Sequence, residues 1–90
     1  MMKTADVFKA AEKHFKVDLS KPAKDFFSMN TRAKEMAILY AMEELKSNYK
    51  DIMRCIDIDR TTISLLHSFG KSSLQNLNYL KTYKTFTQTL

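Results

Sequence analysis

Tyr49-Lys50-Asp51-Ile52-Met53-Arg54-Cys55-Ile56-Asp57-Ile58-Asp59-Arg60-Thr61-Thr62-Ile63-Ser64-Leu65-Leu66-His67 carries the pattern of two short helices joined by a tight turn. Ile52, Met53 and Ile56 are spaced to cover one face of a short helix. Ile63 and Leu66, three apart, do the same on a second. Between them lies Asp57-Ile58-Asp59. Asp tolerates a left-handed backbone, so Asp57 is expected to make the turn, with Ile58 as an apolar plug between the helices. Asp59 is expected to cap the second helix, because its carboxylate can accept the free backbone N–H groups there. A helix, a tight turn and a second helix with a polar leading end is the outline of a helix-turn-helix DNA reader.

The rest of the chain fits an all-α domain. Its 90 residues include one Gly and one Pro, and its apolar residues fall at helical rather than alternating spacing. A chain of this length suits one small domain, residues 1–90, burying roughly 60–65% of its unfolded surface. No run approaches the ~20 apolar residues of a membrane span. The start, Met1-Met2-Lys3-Thr4-Ala5-Asp6, has no signal-peptide apolar core. Cys55 stands alone, which excludes a disulfide framework and a thiolate metal cluster, and a reducing cytoplasm is the expected compartment. The net charge of +5 permits nucleic-acid binding without demanding it. After Arg60 there is no acidic side chain, while Lys71, Lys81 and Lys84 remain. That bias suits phosphate contacts and equally suits a solvated helix.

Working outward, Thr4 is expected to cap a first helix to about Val17, with Val7, Phe8, Ala11 and Phe15 inward. Asp18 to Asn30 is irregular. Its Phe26, Phe27 and Met29 form either core packing or a partner-binding patch. Thr31 or Asn30 is expected to cap the longest helix, ending near Lys46, with Ala33, Met36, Ala37, Tyr40, Ala41 and Leu45 as its stripe and Ile38, Leu39 and Met42 widening it. Asn48 is placed to cap the next helix with Asp51 three residues on. Downstream, Gly70 suits a helix stop. Ser72 or Ser73 would then start a final helix with Leu74, Leu77 and Leu80 inward, and the tail from Thr85 is expected to fray.

Several of these segments resemble one family. Thr31 to Leu45, reading Thr-Arg-Ala-Lys-Glu-Met-Ala-Ile-Leu-Tyr-Ala-Met-Glu-Glu-Leu, is similar to the long helix before the helix-turn-helix of the bacterial replication initiator DnaA. Tyr49-Lys50-Asp51-Ile52 resembles that family's Leu-Pro-Glu-Ile, and Asp59-Arg60-Thr61-Thr62-Ile63 its Asp-His-Thr-Thr-Val. Val7 to Val17 is similar to the first helix of the same C-terminal DNA-binding domain, domain IV. The likeness covers roughly residues 5–68. It implies a five- to six-helix bundle containing a helix-turn-helix, grouped with Trp repressor, and a stand-alone binder of double-stranded DNA. Ile58 stands where the family carries Arg, Asp57 where its turn often has Gly, and the loop before the long helix has fewer cations. The fold is therefore implied more directly than the recognised sequence.

On that resemblance, residues 59–68 enter the major groove. Arg60 and Thr62 lead as base-edge contacts, with Thr61 and Ser64 next, since Arg pairs with guanine and a Thr methyl packs on thymine. Asp59 caps the helix or accepts from a cytosine amine. The backbone N–H groups near Lys50 would meet a phosphate. Lys50, Arg54, Lys71, Lys21, Lys24 and Arg32 would supply counter-charge. Replication or transcription control in a bacterium, phage or mobile element fits this reading, with a replication or transcription protein as a further partner. An enzyme does not fit it. Two distant histidines and one Cys provide no nucleophile–base pair, and no cofactor or metal motif is present. The rival expectation is a helical protein–protein adaptor that uses Phe26, Phe27 and the aromatics of the last helix.

Overall fold

The computed structural model describes residues 2–21 and 28–90; the expectations for Phe26, Phe27 and Lys24 fall outside them. Among the described residues the chain forms five helices and no strand: α1 (Thr4–Phe15), α2 (Met29–Glu43), α3 (Tyr49–Cys55), α4 (Arg60–Ser73) and α5 (Leu77–Thr87). The radius of gyration, 11.7 Å, matches the ~12 Å of a compact chain this long.

α2 is the axle. Nine of its residues are buried, including Ala33, Met36, Ala37, Ile38, Leu39 and Ala41. A helix apolar around most of its circumference is a core helix, and α1 and α4 both pack against it. α1 contributes Val7, Phe8 and Ala11, as its spacing predicts. α3 adds Ile52, and α4 adds Ile63 and Leu66.

Several boundaries differ from the sequence expectation. Lys3, not Thr4, is the N-cap of α1; its backbone N–H donates to the Asp6 carboxylate at 2.9 Å. Thr4 Oγ1 instead meets Ser47 Oγ 2.5 Å away, tying the start of α1 to the loop after α2. α1 stops at Phe15 because Lys16 turns left-handed, at φ 56°. α2 is capped by Ser28, whose hydroxyl accepts the Thr31 N–H. Asn30 lies inside the helix and reaches back to donate to the Asp18 carbonyl at 2.9 Å. α2 also ends three residues before Lys46. That residue is left-handed, at φ 57°, and the Ser47 N–H folds back onto the Ala41 carbonyl at 2.9 Å. Such a closure satisfies carbonyls the helix end would otherwise leave bare.

The larger corrections are at the C-terminal end. α4 runs through Gly70, which is buried and helical. A Cβ built there would lie 3.4 Å from Glu35 Cγ and 3.5 Å from Leu39 Cδ2, so the glycine marks where α4 crosses close over α2. α5 is capped by Asn76, whose side chain accepts the Tyr79 N–H at 3.1 Å, not by Ser72 or Ser73. Its inward residues are Tyr79 and Phe86, whereas Leu77 is 64% exposed. Phe86 is fully buried, its ring 5.4 Å from Phe15 and 5.7 Å from His14. Thus the chain beyond Thr85 is anchored, not frayed.

Candidate functional site

α3 and α4 are joined by Ile56-Asp57-Ile58-Asp59. Asp57 is not left-handed; Lys16 and Lys46 are the non-glycine residues with positive φ among the described residues. The turn is made with extended backbone at Ile56 (φ −141°, ψ 155°) and again at Asp59 (φ −90°, ψ 165°). Leaving helical geometry at Ile56 puts its side chain into the core at 6% exposure, with Ile58 half-buried against it. Burial of Ile56, not the tolerance of Asp57 for an unusual φ, sets this connection.

Both helices start as the sequence predicts. The Asn48 side chain accepts the Asp51 N–H at 2.9 Å and the Asp51 carboxylate accepts the Asn48 N–H at 3.1 Å, a reciprocal capping box. The Asp59 carboxylate accepts the Thr62 N–H at 2.7 Å. Hydrogen bonds from Thr62 hold the Asp59 carboxyl below the usual carboxylate range. The α3 capping box also places a carboxylate at the helix start where a phosphate was expected near Lys50.

α4 buries Ile63, Leu66 and Gly70, which turns Thr61, Ser64, Leu65 and Ser68 outward. These four line a shallow groove with Arg60 and Tyr49. The Arg60 guanidinium lies over the Tyr49 ring, 4.7 Å from its centre. A cation over an aromatic face is held by the ring quadrupole, so Arg60 is steadied at the leading end of α4. Arg60, Thr61 and Ser64 are therefore brought together. Tyr49, Leu65 and Ser68 were missed: the α4 pair completes the stripe opposite Ile63 and Leu66, a legible signal, whereas Tyr49 reaches Arg60 only through the turn. Thr62 is half-buried and does not line the groove.

The remaining cations are dispersed. Lys50 is exposed beside Tyr49 in sequence. Arg54 lines a different cleft, with α1. Lys71 is paired with Glu43 at 3.0 Å, and His67 Nε2 approaches the same oxygen at 3.2 Å. Lys71, then His67, holds the Glu43 carboxyl below its usual range. Arg32 sits over the Tyr79 ring, 5.7 Å from its centre, in a polar notch with Ser73, Asn76 and Asn78. The Lys21 carbonyl accepts from the buried Lys34 ammonium at 3.3 Å. Burial lowers the Lys34 pKa, opposed by Asp57. Cys55 is half-buried, its thiol donating to the Asp51 carbonyl at 3.2 Å. Burial, then Asp51, pushes that thiol up, away from the reactive thiolate.

Among the described residues, no helix is long and apolar enough to cross a membrane, and no group of three or more His, Cys, Asp or Glu could hold a metal ion. No family model, curated protein or solved structure matches the chain.

Proposed function

We propose that the chain is a DNA-binding protein in which α3, the four-residue turn and α4 act as a helix-turn-helix. The leading end of α4 would enter the major groove of duplex DNA. One observation carries the reading: the outward face of α4 gathers Arg60, Thr61 and Ser64 at a capped helix start, while its opposite face is locked into the core. Arg60 is the lead base-edge contact, with two parallel donors suited to guanine, and the hydroxyls serve bases or phosphates. The likeness of Asp59-Arg60-Thr61-Thr62-Ile63 to the DnaA recognition helix supports the same assignment, with control of replication or transcription as the implied role. Because the other cations lie away from the α4 groove, few phosphates would be neutralised there, and both non-specific affinity and its salt dependence should be small.

The test is a mobility-shift titration at low salt, using duplexes selected from a random pool. Arg60→Ala should cost about 1–3 kcal/mol and relax specificity at the contacted base pair, whereas Lys50→Ala should weaken all duplexes alike. If neither substitution changes the shift, the groove-reading model fails.

A second reading, a helical protein-interaction module, has one observation in its favour. Leu65 and Phe69 on α4 are 47% and 44% exposed, with Met53 of α3 at 46%. Of the aromatics of α5, Tyr79 and Phe86 are in the core and Tyr83 is half-buried against it. Met53→Ser, outside the α4 groove, separates the two readings if it abolishes capture of a partner protein while selected duplexes still bind.

A further inference from the structure

A second concave surface lies between α1 and α3, roofed at one end by the loop after α2, with a volume of about 750 Å³. Core side chains Phe8, Leu19 and Ile56 underlie its floor, and the half-buried Met2, Leu45 and Cys55 give that floor its accessible apolar surface. Its rim carries four cations, Lys3, Lys9, Lys46 and Arg54, all exposed. Among the described residues none of the four is in a salt bridge; both ion pairs belong to Glu43. The two carboxylates on the cleft are already engaged by backbone donors. Glu12 accepts the Leu19 N–H at 2.9 Å and Asp51 the Asn48 N–H at 3.1 Å. The balance on the cleft is thus four cations against two carboxylates. Like charges gathered around a low-dielectric wall repel one another and focus a field that draws in anions.

We propose that this cleft docks an acidic, amphipathic peptide segment of a partner protein. The apolar lining disfavours a bare phosphate, which would leave the accessible faces of Met2, Leu45 and Cys55 without contacts. Acidic side chains along the rim with apolar ones directed to the floor match both surfaces. The walls are pre-set. The Thr4–Ser47 hydroxyl contact ties α1 to the loop opposite, and the left-handed Lys46 is fixed by the Ser47 N–H bonded to the Ala41 carbonyl. A rigid receptor spends less of its binding energy on ordering itself. α3 divides this cleft from the α4 groove, sending Asp51, Arg54 and Cys55 to the cleft and Tyr49 to the groove. The proposal therefore stands whether or not α4 reads DNA.

The experiment uses a short fluorescent peptide alternating Asp and Glu with Leu and Phe, titrated by anisotropy into the full chain. A matched peptide carries Asn and Gln. The acidic peptide should bind, shift the amide resonances of Phe8, Leu19 and Ile56, and release as salt rises. Reversing two rim charges, Lys9→Glu with Arg54→Glu, should weaken it at least tenfold, and the milder Lys9→Gln with Arg54→Gln should weaken it less. Both positions are exposed, and far-ultraviolet circular dichroism checks folding. Arg60→Ala should leave peptide binding unchanged. No binding at low salt, equal binding of the amide peptide, or indifference to both rim variants overturns the proposal. So does displacement of the peptide by a duplex that itself depends on Lys9 and Arg54, which would give the cleft to nucleic acid.

Discussion

The α3–α4 connection and the α4–α5 corner are both short links between helices, yet they are held by different physics. At the first, the cap lies within three residues of the group it satisfies, Asp59 with Thr62, as does the Asn48–Asp51 box that starts α3. At the second, Asn76 also caps locally, through the Tyr79 N–H, but the register of α5 is set far along the chain. The Tyr79 hydroxyl donates to the Glu35 carboxylate across 44 residues at 2.5 Å, and Phe86 packs on the rings of His14 and Phe15. A local cap is written in neighbouring letters. A distant partner chooses which face of an amphipathic helix turns inward, and it can override leucine spacing.

The substitution with the largest expected effect tests that contrast directly. Phe86→Ala should destabilise the fold by about 3–5 kcal/mol in urea or thermal unfolding, the range for emptying a buried aromatic site. An unchanged midpoint would return the tail to a frayed end and erase the difference between the two corners.

Next is the buried pair. Tyr79→Phe should cost about 1–3 kcal/mol, because the Glu35 carboxylate loses its hydroxyl donor. Burial raises the Glu35 pKa, partly offset by the Tyr79 hydroxyl and Arg32. A folded-state pKa above the unfolded one stabilises fully below the unfolded value, and that stability is lost as pH rises through the folded value. Tyr79→Phe should raise the Glu35 pKa further and steepen this loss. Glu35→Gln should flatten it. Urea midpoints followed from about pH 4 to about pH 8, the span a raised carboxylate crosses, measure both slopes; a Tyr79→Phe slope no steeper than wild type would mean Glu35 is stabilised by other groups.

The smallest effect belongs to a local cap, at the start of α3. Asn48→Ala should cost about 1 kcal/mol, the usual cost of losing one cap, and speed amide exchange in α3 while leaving α5 protected. Loss of protection in α5 as well would show that α3 and α5 unfold together.

The candidate site was legible to the same degree as its contacts are local. Arg60, Thr61 and Ser64 follow from the Asp59 cap and from the inward facing of Ile63 and Leu66. Tyr49 beneath Arg60 does not, because it requires the path of the turn. Nor does the pairing of Lys71 with Glu43, or the placement of Arg32 over Tyr79, each of which joins separate helices. The Gly70 reading failed for a related reason. Helix-stopping glycine and helix-crossing glycine look alike in sequence, and only the closeness of Glu35 and Leu39 distinguishes them.

Helical character, the apolar faces of α1 and α2, and the caps that start α3 and α4 are set by the local sequence. These depend on period and on groups a few residues apart. The tertiary structure alone decided where α4 ends, which face of α5 is buried, and which cations meet around a common groove. Those outcomes depend on burial against partners that are distant in the chain, and apolar surface is removed from water wherever a partner lies, whatever the local pattern favours.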